Sequence, residues 1–329
     1  MATIYDIAQA TGLSTSTVSR ALQGSRLVGP EVRARVAAAA EQLGYRTRVV
    51  RRSPGRAILS VRLVLPQPRN PARGLFYDVT ELLAGLREGF AGGTLNLMCD
   101  LATPEYVPFP HKKGGDTDAF VFAFHTPAAE TIAEIQQNRI PFVVLNRSLP
   151  DVPSIGTDNL AGMRALLAHV LAQPRPVRPM FVGLDRLGTV LDERQDAFLQ
   201  AAGEAGLAVG AENCHIFPSL DAVRADAVAA LADHANVLLA VNDIVGVLLL
   251  EELRGLGFEV PKQVAVTGFD DSPLRRLSRP LLTSFSLPVH ALGVRAGNRL
   301  MEEILEKRIS THSELLVGKL LPGASTHPV

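Results

Sequence analysis

The chain has 329 residues, too many for one ordinary domain and suited to two or three. Hydrophobic residues make up 47% of it, enough for several cores, which excludes a disordered polymer. The formal charge of zero hides an asymmetry: residues 1–58 hold nine arginines and three acids, a net +6, so the rest carries −6. A short basic head on an acidic body fits a polyanion-binding module joined to a second function. A merely solvated basic face is the alternative, and the head's own elements must decide. Apolar runs such as RLVLP at 62–66 and NVLLAV at 236–241 are strand-length, far short of a bilayer span. The start MATIYDIAQA lacks a basic n-region followed by an apolar stretch, so a cytoplasmic protein is expected, with Cys99 and Cys214 as two reduced thiols.

The head reads as three short helices. Thr3 is a good N-cap with Asp6 three residues on, Ile4, Ile7 and Ala8 share a face, and Gly12 ends the first helix. Ser14 caps a second, where Val18, Ala21 and Leu22 form an apolar stripe up to Gly24. The third starts at Gly29-Pro30 and runs through Val32, Val36, Ala39, Ala40 and Leu43 to Gly44. Two helices joined by ATGLS, with a third closing their core, describe a helix-turn-helix unit, whose second helix enters the major groove by its N-terminal residues. Short hydroxyls at Thr15, Ser16, Thr17 and Ser19 allow close backbone approach, donate to phosphates and read base edges, and Arg20 is the long donor. Ser and Thr also favour helix starts on their own account; four together beside an arginine in a basic head tilt the balance towards DNA.

The stretch TIYDIAQATGLSTSTVSRALQG…VGPEVRARVAAAAEQLGY resembles the N-terminal domain of the lactose-repressor/galactose-repressor (LacI/GalR) family of bacterial transcription regulators. The resemblance implies that Thr15, Ser16 and Arg20 face bases while Tyr5, Thr17, Ser19 and Tyr45 hold the DNA backbone. Past Tyr45 the chain departs from the family, whose members continue with a hinge helix that wedges a leucine into the minor groove. Here RTRVVRRSPGRA puts Arg48 where Asn is usual, Arg51 where Ala is usual, and a helix-breaking Pro54-Gly55 near the wedge position. Two outcomes fit: a shortened hinge whose Arg48, Arg51 and Arg52 enter a narrow minor groove, or a flexible linker held by phosphate attraction. The first is preferred; an ordinary solvated basic linker is the competing reading.

From residue 59 strands and helices alternate. Strands are expected at 59–65, 94–99, 118–124, 141–146, 180–184, 236–241 and 263–269. Helical stretches fall near 75–92, 127–138, 159–172, 193–206, 219–234 and 243–257. Such alternation implies parallel sheets with helices on both faces, and about 270 residues suit two lobes. Open parallel sheets bind ligands beyond the carboxyl ends of their strands. Polar residues stand there after apolar runs: Asn146-Arg147, Asn242-Asp243 and Asp270-Asp271, with Asp158 and Arg194 in comparable places. Singly, each has a structural alternative: Asp243 can cap the following helix, and Asp271-Ser272-Pro273 is turn chemistry.

The same resemblance extends through the body, in segments such as GTDNLAGMRALLAHVL, ERQDAFLQAAGEAGL, AVNDIVGVLLLEELRGLGFEVPKQVAVTGFDDSPL and LPGASTHP. It implies an all-α helix-turn-helix head, 1–46, a hinge or linker, 47–58, and an α/β body, 59–329, of two Rossmann-like lobes similar to periplasmic sugar-binding proteins. The N-lobe would take 59–158 and 288–318, the C-lobe 159–287 and 319–329. It also implies that Arg194, Asn242 and Asp270 hold an effector's polar groups. Asn146 falls where some sugar-binding members have Asp, which removes a charge. Residues 102–116, with three prolines where relatives have a helix, are expected to be a loop. A short insertion places Phe76, Tyr77 and Asp78 at the cleft mouth, where the aromatics stack on a ligand or join the core.

An enzyme is not expected: no nucleophile elbow, phosphate loop, paired histidines or Cys-x-x-Cys is present, so neither cofactor nor metal is implied. A periplasmic-type solute-binding protein would explain the body but not the basic head. A regulator with a degenerate cleft that binds no effector is the other alternative. The reading is a ligand-responsive repressor that binds pseudo-palindromic double-stranded operator DNA as a homodimer, with a small polar, sugar-like effector between the lobes and no membrane partner. A tetramer is not expected, since the sequence ends at ASTHPV with no heptad extension.

Overall fold

The computed structural model describes residues 4–22, 28–43, 58–67, 78–91, 93–103, 106–108, 117–173, 175–185, 187–306 and 310–327. They fall into two compact units, Met1–Arg56 and Ala57–Val329. In the first, α1 (Ile4–Thr11), α2 (Thr15–Leu22) and α3 (Pro30–Gln42) surround a core of Ile7, Val18, Ala21, Val28, Val36 and Ala40. Gly12 at φ 65° ends α1 as a left-handed residue that only glycine takes without strain. Ser14 Oγ accepts from the Thr17 amide at 3.2 Å and caps α2. Ile7, Val18 and Val36 are fully buried, each contributing about 1.5–3 kcal/mol, so a unit this small depends on these few contacts.

The second unit holds two six-stranded sheets. The first lobe's sheet comprises β1 (Ile58–Pro66), β2 (Thr94–Ala102), β3 (Ala119–Ala123), β4 (Phe142–Leu145), β5 (Ser154–Thr157) and, from far along the chain, β11 (Glu314–Leu316). Its order is β11-β5-β4-β3-β1-β2, all parallel. The second lobe's sheet comprises β6 (Pro179–Leu184), β7 (Cys214–Phe217), β8 (Val237–Ala240), β9 (Ala265–Asp270), β10 (Thr283–Ser286) and β12 (Leu320–Leu321), ordered β12-β10-β9-β8-β6-β7. Only β12 runs antiparallel to its neighbour. The central strands β3, β4, β6, β8 and β9 are buried at every position, as sheets covered on both faces require.

Helices α4 (Val79–Gly89), α5 (Ala129–Gln137) and α10 (Val289–Glu306) cover the first sheet, and α6 (Asn159–Leu171), α7 (Thr189–Glu204), α8 (Ala225–His234) and α9 (Asp243–Gly255) the second. The chain therefore passes between lobes three times, after β5, after β10 and between β11 and β12. α4 and α10 touch backbone to backbone through Gly85, Gly89, Gly293 and Gly297. A methyl on Gly85 would lie 2.1 Å from the His290 carbonyl oxygen.

Several expected boundaries move. The helix expected from 193 begins at Thr189, because Gly188 at φ 62° turns the chain there, so Arg194 sits in the second turn and not at the helix start. The helix expected over 219–234 splits into a 3-10 turn, Leu220–Ala222, and α8, because Arg224 is extended. Short strands β5, β7, β10, β11 and β12 carry too few residues to show a period. Within 102–116, Thr103 and residues 106–108 form neither helix nor strand, and most of the rest lies outside the described residues. Tyr106 there donates to Asp100, which also pairs with Arg62 at 2.8 Å.

Candidate binding sites

In the head, Thr15, Ser16, Thr17, Ser19 and Arg20 all fall in α2, and Tyr5 falls in α1. At 100° per residue, position 16 lies on the helix face opposite the buried Val18 and Ala21, and positions 19 and 20 flank that face equally on its two sides. Thr15 is exposed; Thr17 is partly buried, its hydroxyl 2.8 Å from Ser14 Oγ. Tyr45, Arg48, Arg51 and Arg52 lie outside the described residues, as do Phe76 and Tyr77.

In the body, three of the five expected effector residues meet at the carboxyl ends of β8 and β9. Arg194 is 2% exposed and donates through Nη2 to Asp270 Oδ1 at 2.7 Å, through Nη1 to the Val241 carbonyl at 2.5 Å and through Nε to Asn159 Oδ1 at 3.1 Å. Its guanidinium carbon lies 3.9 Å from the centre of the Phe269 ring, a cation–π contact in a dry setting. Asn242, next to Val241, is the N-cap of α9, its Oδ1 accepting from the Val245 amide at 3.0 Å. The expected capping role of Asp243 is thereby corrected. Asn242 is extended at φ −155°, as a cap must be, while Asp243 is already helical and turns inward. Asp243 is fully buried and accepts from the Ser272 amide and the Ser284 hydroxyl, both at 2.6 Å.

The electrostatics follow from this crowding. Burial, and then the nearby Asp270 charge, push the Asp243 carboxyl up to about 7. Burial also holds Asp270 above the ordinary value, an effect that the guanidiniums of Arg194 and Arg147 offset only in part. Arg147 belongs to the first lobe, just past β4, so its field reaches across to a residue of the second. Asn146 ends β4 at φ 54°, and Asp270 ends β9 at φ 114° with Asp271 at 53°. Left-handed non-glycine residues at facing strand ends are strained positions, and such strain concentrates where ligands are held.

Asp78 takes a different place. It is exposed and caps α4, its Oδ1 accepting from the Thr80 amide at 2.8 Å and the Glu81 amide at 3.4 Å. Beside Arg194 the structure adds Asn159 and Glu193, which sequence reasoning passed over. Glu193 precedes Arg194 directly and Asn159 follows the capping Asp158, so adjacency to expected residues was the only available signal. His125, at the end of β3, lies with Nε2 3.2 Å from the Val64 carbonyl, and burial holds its imidazole below the ordinary value. Among the described residues no cluster of His, Cys, Asp and Glu could hold a metal ion, and no helix is long and apolar enough to cross a membrane.

Residues 3–48 match the family described as bacterial regulatory proteins, lacI family, and residues 177–326 match a periplasmic binding protein-like domain. The HTH-type transcriptional regulator reg1 of Streptomyces lividans is 30% identical over 321 residues, 92% of this chain and 90% of that protein. The ribose operon repressor of Bacillus subtilis is 29% identical over 309 residues, 92% and 91% of the two chains. Among solved structures, a CelR-cellobiose complex covers 99% of this chain and 100% of its own at a TM-score of 0.67 and 22% identity. A LacI family regulator from Enterococcus faecium with bound ribose covers 82% and 99% at 0.66 and 20%. The helix-turn-helix head, the two-lobed body and this near full-length similarity to reg1 together establish that the chain belongs to the LacI family of bacterial transcription regulators.

Proposed function

We propose that this regulator is a cytoplasmic, non-enzymatic repressor that binds a pseudo-palindromic operator as a homodimer and releases or holds it according to a small, sugar-like effector between its lobes. The domain limits that serve this reading are a head at 1–46, a linker at 47–58 and a body at 59–329. The body's N-lobe would take 59–158 with 288–318, and its C-lobe 159–287 with 319–329. In the head, Thr15, Ser16 and Arg20 read bases, Tyr5, Thr17, Ser19 and Tyr45 hold phosphates, and Arg48, Arg51 and Arg52 reach the minor groove. In the body, Arg194, Asn242 and Asp270 hold the effector from one lobe and Asn146 from the other, with Asp78 contributing its second carboxylate oxygen at the head of α4.

The observation that carries this is the buried pair of Arg194 on α7 and Asp270 at the end of β9, 2.7 Å apart, with the Arg147 charge acting on it from the facing lobe. A ligand that bridges the two sets favours a closed arrangement. It changes operator affinity only as far as it binds that arrangement more tightly than the open one. The ribose and cellobiose seen in two similar structures support a sugar as the ligand class. Arg194→Ala should abolish the effect of sugars on operator binding, followed by fluorescence anisotropy on an operator selected from random DNA. If instead its sugar response persists and ligand-free operator affinity falls, the assignment of the cleft is wrong.

A further inference from the structure

Among the described residues three buried side-chain oxygens, on Thr157, Thr189 and Glu193, have no hydrogen-bond partner, and the last of these residues is joined to Arg194. Asn159 is the link: its Nδ2 donates to Glu193 Oε2 at 2.8 Å, and its Oδ1 accepts from Arg194 Nε at 3.1 Å. Glu193 spends one oxygen on Asn159, while the other, Oε1, is buried and unpartnered. Thr189 lies one helical turn earlier on the same face of α7, and its Oγ1 is also buried and unpartnered. Thr157, 2% exposed, ends β5 two residues before Asn159, and its Oγ1 is the third. Folded proteins rarely leave buried acceptors unsatisfied, and a carboxylate oxygen least of all, unless another molecule brings the donor.

We propose that Thr157, Thr189 and Glu193 form a subsite for effector hydroxyls beside Arg194, with Glu193 as the specificity-determining acceptor and Asn159 as the positioning residue that holds Glu193 and Arg194 together. This rests on the reading of these strand ends as the effector site. The chemistry restricts the ligand. An ionised carboxylate only accepts, so Glu193 requires a donor, while the threonine hydroxyls serve either role. Arg194 is paired with Asp270 and uses three of its five N–H groups within its own lobe, which leaves two for ligand hydroxyls, while the Glu193 carboxylate beside it repels an anion. The subsite therefore takes a polyhydroxylated molecule without an anionic group, with one hydroxyl donating to Glu193 Oε1.

Glu193→Gln is a clean probe, because the amide keeps an oxygen for Asn159 and replaces the free acceptor by an N–H donor. Full-length wild type, Glu193→Gln and Arg194→Ala are compared by thermal shift and titration calorimetry. The probes are pentoses, hexoses and disaccharides, with their monodeoxy and uronic acid forms. At least one neutral sugar should stabilise the wild type, and Glu193→Gln should bind it about ten- to a hundredfold more weakly. The deoxy form lacking the donated hydroxyl should lose little more on Glu193→Gln, because both changes delete one contact. Binding that Arg194→Ala abolishes and Glu193→Gln leaves intact overturns the subsite while the effector reading stands. Preference for a uronic acid overturns the exclusion of anions, a water kept on Oε1 in a crystal structure of the complex assigns that oxygen to solvent and overturns the subsite, and a wild type that no sugar stabilises overturns both readings.

Discussion

The carboxyl ends of the two sheets are built from the same plan and furnished differently. In the second lobe Arg194, Asp270, Asn242 and Asp243 are nearly or fully buried and bond to one another's elements, so the loop after β9, the start of α9 and the middle of α7 form one polar knot. In the first lobe Asn146 and His125 follow the ends of neighbouring strands and bond to main-chain carbonyls of their own sheet, those of Ile155 and Val64. Both ends carry left-handed residues, Asn146 on one side and Asp270 with Asp271 on the other. On the proposed reading of these strand ends as the effector site, the contrast means that one lobe is prepared before a ligand arrives, with its ordering cost already met in folding, while the other would complete the site by closing on it.

If that division is right, the same kind of substitution should have very different costs in the two lobes. The largest effect is expected at the pair itself. Asp270→Ala leaves the Arg194 guanidinium buried without its counter-ion and should destabilise the body by about 3–5 kcal/mol, read from urea unfolding followed by circular dichroism. A loss under about 1 kcal/mol would mean that water or the Val241 carbonyl satisfies Arg194 unaided and that the second lobe is not a preformed half.

What the sequence shows of this contrast depends on range. Continuous apolar runs such as VVLN and LLAV announce the central strands, since a strand covered on both faces has no polar side to interrupt it. The head is legible because its caps, glycines and apolar stripe are local and agree with one another. That Arg194 pairs with Asp270, 76 positions away, cannot be read from spacing; only the polar residues at strand ends, and the resemblance, pointed there. The choice of Asn242 over Asp243 as cap turned on which of two adjacent polar residues is extended, a matter of one residue's φ. Asn159 and Glu193 escaped because Asn after a helix cap and Glu on a helix are ordinary surface chemistry until folding buries them together.

A second test concerns how the knot responds to pH. The Asp243 carboxyl, pushed up to about 7 by burial and by Asp270, keeps its proton in the folded state far above the 3.8 of an ordinary aspartate. Between those two values the folded state binds the extra proton, so this group's contribution to stability is complete below 3.8, falls as pH rises through about 7, and is flat above. Between pH 5 and 7.5 the loss from this one group should be about 2–3 kcal/mol. Asp243→Asn, which stays neutral, should remove that part of the difference between urea unfolding curves at the two pH values. An unchanged difference would show that Asp243 is ionised in the folded protein, with the Ser272 amide and Ser284 hydroxyl enough to hold it.

The smallest effect on stability is the sharpest test of the comparison. Asn146 stands at φ 54°, where asparagine is tolerated and glycine is at ease, and its amide donates to the Ile155 carbonyl at 2.9 Å whatever the side chain. Asn146→Gly therefore keeps the backbone and its hydrogen bond and deletes only the carboxamide. The relief of the left-handed strain and the greater freedom of glycine in the unfolded chain oppose each other, so stability should change by no more than about 1 kcal/mol. Affinity for whichever sugar stabilises the wild type should still fall about tenfold, as expected for one hydrogen bond to the ligand. A variant that unfolds as readily as Asp270→Ala would make Asn146 part of a scaffold like the one opposite, and the two strand ends would then be equally preformed. A variant that is as stable as the wild type but binds sugar more weakly leaves the first lobe as the side that supplies contact on closing.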